Sequence, residues 1–126
     1  MQFKALLFAV CCLLTVAACH KHDEDSNAPV LTIAEPLANA SVSGEVHIEG
    51  DVTDASLHEM EIKVTLDSDG SQLFIATPEV HDETAYHFHE HWIPSVAAET
   101  AVTLTITVSD HSENTTTKTV KFTVKP

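Results

Sequence analysis

Tyr86-His87-Phe88-His89-Glu90-His91-Trp92 is the stretch on which the reading of this chain turns. It alternates, and in a β-strand successive side chains point to opposite faces. Tyr86, Phe88 and Trp92 are three of the seven aromatics in the chain, and they share one face. That face is expected to look into a core. His87, His89 and His91 share the other face and are expected to meet solvent. Glu90 has the inward parity, which an edge position or a bulge accommodates.

The same alternation continues outward from this stretch. Strands are expected at 30–34, 45–52, 59–66, 72–76, 84–92, 101–109 and 116–125. Val46, Ile48 and Val52 fall inward, as do Met60, Ile62, Val64 and Leu66. Further on, Val102, Leu104, Ile106 and Val108 oppose Thr103, Thr105 and Thr107. Asn39 to Gly44 reads as turn chemistry, and Asp67-Ser68-Asp69-Gly70 as the tight turn of a hairpin. No helical period follows residue 29. Seven strands separated by turns predict an all-β fold, a seven-stranded antiparallel Ig-like β-sandwich over residues 30–126. The proline-rich entry and the Asp110–Asn114 turn before the last strand resemble bacterial Ig-like modules over residues 29–126, and the resemblance concerns architecture rather than activity.

The first 18 residues read differently. Lys4 precedes an apolar run, Ala5 to Ala18, too short to span a bilayer as a helix. The run ends Leu14-Thr15-Val16-Ala17-Ala18-Cys19, which resembles the lipobox of bacterial lipoproteins. The resemblance implies a signal peptide over 1–18 and a lipid on Cys19, anchoring the protein to a membrane. Cys11 and Cys12 leave with the leader, so no disulfide is expected in the domain. Residues 19–29 are polar and charged and are expected to form a disordered tether. Their cluster Asp23-Glu24-Asp25 resembles the surface-export signal of Bacteroidetes-type lipoproteins, implying the outer membrane and its outer face. Leu57-His58-Glu59, Val80-His81-Asp82, Trp92 and Asp110-His111-Ser112-Glu113-Asn114 also resemble landmarks of small lipoproteins of that group. Those proteins more often carry Gly where Glu113 stands. The resemblance implies location and fold, and no activity.

The chain has 19 acidic residues against six lysines and no arginine, for a formal net charge of −13. Such a surface repels nucleic acid and has no forked donor for phosphate. It suits cations.

Nine histidines are many for this length. His20 and His22 fall on the tether, and the rest form two groups. One is a sheet face. With the second and fifth strands paired and Val52 near Thr84, Glu49 faces His87 and His47 faces His89. His87 and His91 are about 13 Å apart along a flat strand, so His47 is needed beside His87, His89 and His91 to complete a metal site. The other group is an end of the sandwich, where the loops after the second, fourth and sixth strands emerge together. Those loops carry His58, His81 and His111, with Asp54, Asp82 and Asp110 available to orient the rings.

Both groups suit zinc or copper(II). Met60 reads as core and no free thiol remains, which disfavours copper(I). Calcium, through Asp51, Asp54 and Asp110, is the weaker expectation, because no EF-hand spacing is present. The expected function is a lipid-anchored, monomeric domain that binds a divalent transition metal through His58, His81 and His111. The rival is a metal-free surface module docking a protein or glycan partner. Only Gly44, Gly50 and Gly70 occur, so the chain has no Gly-x-Ser-x-Gly nucleophile motif. Catalysis is not expected, although three ligands with an open fourth position is also the layout of catalytic zinc.

Overall fold

The computed structural model describes residues 25–126; Cys19, His20, His22 and the leader lie outside the described residues. Eight strands follow in order: β1 (Val30–Glu35), β2 (Ser41–Ser43), β3 (Val46–Thr53), β4 (Leu57–Leu66), β5 (Gln72–Ala76), β6 (Ala85–Trp92), β7 (Thr100–Asp110) and β8 (Thr115–Lys125). They form two sheets, β1-β3-β6 and β2-β8-β7-β4-β5. The architecture is the expected all-β sandwich, with eight strands rather than seven.

The extra strand is β2, inside a segment whose Asn, Ser and Gly content reads as turn. It pairs in parallel with β8, Val42 opposite Val124, so the sandwich is not wholly antiparallel. Backbone hydrogen bonds from Asn39 N to Lys121 O (2.8 Å) and from Thr123 N to Ala40 O (2.9 Å) fasten the segment down. Three residues are too few for periodicity to reveal.

Alternation sets the core. Leu31, Val46, Ile48, Val52 and Phe88 from the smaller sheet meet Ile62, Val64, Leu104, Ile106 and Val124 from the larger. Gly50 lies opposite Phe88 in the β3–β6 ladder. A Cβ on Gly50 would collide with Thr32 O and come within 2.5 Å of Phe88 Cζ, so the missing side chain makes room for the ring. Phe88 is fully buried, whereas Tyr86 and Trp92 are only half-buried. The reason is that β6 is an edge strand. Trp92 packs at this open margin, its ring 6.2 Å from that of Phe74. Glu90, with inward parity, is half-exposed there as well.

The β3–β6 pairing is antiparallel but slipped by two residues from expectation. Val52 lies opposite Tyr86, Asp51 opposite His87, Glu49 opposite His89 and His47 opposite His91. A two-residue slip leaves every side chain on its own face, so hydrophobic pattern cannot detect it. The same register continues past the end of the ladder, where Asp54 N donates to Thr84 O (3.1 Å).

The ordered domain also begins before Val30. Asn114 Nδ2 donates to Asp25 O (2.7 Å), and Thr116 Oγ1 donates to the carbonyl of Pro29 (2.6 Å), which is buried. Asp25 and Pro29 are thus tied to the β7–β8 turn and the start of β8, within the span expected as a tether.

Candidate functional site

His58 stands on the second residue of β4 rather than in the expected loop, His81 in the β5–β6 loop and His111 in the β7–β8 turn, and the backbone ties the three together at one end of the sandwich. Leu57 N donates to Glu83 O and Asp82 N to Leu57 O, both at 2.9 Å, which draws the β5–β6 loop onto the start of β4. His111 N donates to Ser56 O (3.2 Å), which draws in the β7–β8 turn. The ladder between β4 and β7 shifts register between Leu57 and Glu59. A bulge of this kind re-aims side chains. Leu57 stays buried while His58 turns half outward.

The three rings close on one another, with centroids 5.2 Å (His58–His81), 4.6 Å (His58–His111) and 4.7 Å (His81–His111) apart. One nitrogen from each lies within 4.8 Å of the others. His58 Nδ1 and His81 Nδ1 are 3.2 Å apart. Two imidazoles on one ion at about 2.0–2.1 Å have nitrogens about 2.9 Å apart at a right angle and about 3.3 Å apart at the tetrahedral angle. That pair is therefore already at ligand spacing, and a nitrogen of His111 lies within 4.8 Å of both.

Asp82 spans two of the rings. Its Oδ1 accepts from His111 Nε2 (2.9 Å), and its Oδ2 lies 3.6 Å from His81 Nε2. A carboxylate holding the outer nitrogen orients a ring and leaves the inner nitrogen for a metal. Asp82 has a left-handed backbone (φ 65°), which aspartate tolerates.

Asp54 and Asp110, expected to join Asp82, do not reach the rings. Asp54 Oδ1 accepts from Ser56 N (2.9 Å), bracketing its own turn. Asp110, 3 % exposed, accepts from Asn114 N (2.8 Å) and Nδ2 (2.7 Å). Covering that carboxyl pushes its pKa up, but the Asn114 side-chain and backbone N–H groups outweigh this and hold it below the usual range. With Asp25, these two form an all-carboxylate group within 4.8 Å. Asp51, counted on for a calcium site, is elsewhere, against His87. Each member of the group is occupied in fixing a turn, Asp25 Oδ1 by Asn27 N at 2.9 Å.

The sheet-face histidines divide. His47, His89 and His91 form a second cluster with nitrogens within 4.8 Å. His87 is not part of it. Its Nδ1 donates to Asp51 Oδ1 (3.0 Å) and its Nε2 lies 3.3 Å from Glu49 Oε1. The Asp51 hydrogen bond, against some desolvation and helped by both charges, raises the His87 pKa. Carboxylates on both nitrogens favour the imidazolium, which cannot ligate a metal. The two-residue slip is what puts Asp51 opposite this ring.

A groove of about 850 Å³ opens beside His58 and His81, lined in part by Glu59, Glu61 and Glu79. Met60, the one methionine among the described residues, is 4 % exposed and belongs to the core. Among the described residues no helix is long and apolar enough to cross a membrane.

No family profile and no curated protein matches the chain. Solved structures do. An engineered protein matches with a TM-score of 0.58 at 18 % identity, over 78 % of this chain and 20 % of that one. The chain thus spans a fifth of that protein's length. CopC from Methylosinus trichosporium OB3b matches with a TM-score of 0.51 at 15 % identity, over 78 % of this chain and 94 % of that one. The CARDB domain of a Pyrococcus furiosus protein in complex with di-metal ions gives 0.44 at 17 %, over 77 % and 89 %. At identities this low, the likeness to the first two shows a shared fold and nothing finer.

Proposed function

We propose that this domain binds a divalent transition metal, zinc or copper(II), through His58, His81 and His111, with Asp82 orienting the His111 ring and lying beside that of His81. The observation that carries this is the convergence of three imidazoles from the start of β4, the β5–β6 loop and the β7–β8 turn, two of them already 3.2 Å apart. Nitrogen ligands without sulfur suit these ions. The surplus of carboxylates attracts a cation and repels nucleic acid. The role is binding: capture, storage, or stiffening of the loop end. We further propose that the domain is monomeric and held at the cell envelope, on the outer face of the outer membrane, by a lipid on Cys19. Replacing Cys19 with Ala should release the protein or leave an uncleaved precursor; membrane fractionation identical to wild type removes the anchor from the proposal.

Thermal unfolding with and without zinc, on wild type and single variants, tests the metal reading. His58→Ala, His81→Ala and His111→Ala should each shrink the zinc-dependent rise in Tm, while His87→Ala leaves it intact. A rise unaffected by the three changes defeats the loop-end assignment. The groove supports a second reading, in which a cationic or polar protein or glycan partner docks against Glu59, Glu61 and Glu79. No zinc or copper(II) effect on any form of the protein would favour it.

A further inference from the structure

The sheet-face cluster repeats the layout of the loop end with different residues. At the loop end, three imidazoles surround a space and one carboxylate, Asp82, reaches two of them. On the sheet face the carboxylate is Glu45. Its Oε1 accepts from His91 Nδ1 (2.9 Å) and lies 3.2 Å from His47 Nε2. His47 Nδ1 and His89 Nε2 are 3.0 Å apart, inside the interval that one ion imposes on two ring nitrogens. The rings are 5.3 Å (His47–His89), 4.6 Å (His47–His91) and 4.5 Å (His89–His91) apart.

We infer that His47, His89 and His91, positioned by Glu45, form a second divalent-metal site, independent of the loop-end site. It offers three imidazole nitrogens and suits zinc or copper(II). Antiparallel pairing explains why it forms. His47 faces His91 directly, and His89 stands two residues along on the same face, so one ring of β3 meets two of β6. The surroundings favour a cation. β1, β3 and β6 contain no lysine, whereas Glu45, Glu49 and Asp51 run along this same face. His47 lies near the start of β3 and His58 beyond its end. At roughly 3.3 Å per residue the clusters are well over 15 Å apart along the sandwich, so one ion cannot serve both.

The test is zinc stoichiometry, measured against a competing chromophoric chelator on the purified full chain without a histidine tag. Wild type is expected to bind two ions. The loop-end triple variant (His58→Ala, His81→Ala, His111→Ala) is expected to keep one. In that background Glu45→Gln should weaken the remaining site about 10–100-fold, the usual cost of losing a residue that orients a ligand. Adding His47→Ala, His89→Ala and His91→Ala should abolish it. The inference is overturned if the loop-end triple variant binds no zinc, or if its ion survives loss of the sheet-face histidines. Failure of the loop-end proposal looks different: one ion in wild type, still present in the loop-end triple variant and lost with the sheet-face histidines. Independently of any substitution, zinc added to wild type should move the ring ¹⁵N signals of His47, His89 and His91 but not His87. Shifts confined to His58, His81 and His111 also overturn it.

Discussion

Phe88 fits only because residue 50 has no side chain. Gly50→Ala places a methyl against Thr32 O and the Phe88 ring, with backbone on one side that cannot yield. The expected loss is about 1–3 kcal/mol or more, the range for overpacking. Phe88→Ala leaves a cavity and should cost about 3–5 kcal/mol. His89→Ala, on the open face, should cost well under ~1 kcal/mol in metal-free buffer. Denaturant unfolding checks all three, and comparable losses at Phe88 and His89 would refute the assignment of faces. Glu113 presents the opposite case. Its φ of 66° puts a non-glycine residue in the left-handed region, in the Asp110–Asn114 turn. That conformation costs an L-residue about 1–2 kcal/mol, while glycine carries an entropic penalty of about 0.5–1 kcal/mol. Glu113→Gly should therefore stabilise by about 0.5–1 kcal/mol, and a loss of stability would show that the Glu113 side chain contributes something the turn geometry does not reveal.

At the scale of elements, alternation decided which face each side chain occupies but not which residues meet. Tyr86 to Trp92 read correctly as a strand with an aromatic inner face and an imidazole outer one. The register could not be read, since a slip of two preserves the pattern. That slip reassigned the partners: it took His87 out of the cluster and gave it Asp51. The convergence of His58, His81 and His111 was legible because it needs only the direction of the strands. The bulge beside His58, the left-handed Asp82 and the docking of residues 25–29 were not, because each rests on local backbone geometry without a periodic signal. The β3–β6 ladder leads to its own prediction. His87 has a raised pKa because Asp51 Oδ1 accepts its Nδ1–H, so this pairing is complete below the ordinary histidine value of 6.5. It is lost as pH climbs through the higher folded-state value. At such an exposed site the effect on stability is small, so the titration itself is the measurement. In an NMR titration the His87 midpoint should lie above 6.5 and fall in Asp51→Asn. A midpoint indifferent to that substitution would mean the contact does not persist in solution.

For the whole molecule, the loop-end histidines gather the start of β4, the β5–β6 loop that crosses between the sheets, and the β7–β8 turn that closes the larger one. An ion held there binds the folded chain and not a dispersed set of unfolded side chains, so it stabilises by mass action. Free zinc at 100 times its Kd adds about 2.7 kcal/mol, which for a domain of this size raises Tm by roughly 10–20 °C. Only neutral imidazole ligates, so binding releases protons and the gain must shrink as pH falls through the histidine range. His87 works in the other direction, since its ion pair is strongest at low pH. Between about pH 5 and pH 8 the zinc-loaded protein should therefore gain stability as pH rises, relative to the same protein in chelator. The depressed pKa values of Glu45, held down chiefly by the His91 hydrogen bond, and of Asp110 place their effects below this window. Calorimetry across pH with zinc and with chelator checks this. The two curves should converge near pH 5 and separate toward pH 8, and parallel curves would mean that the ion is not held by these histidines.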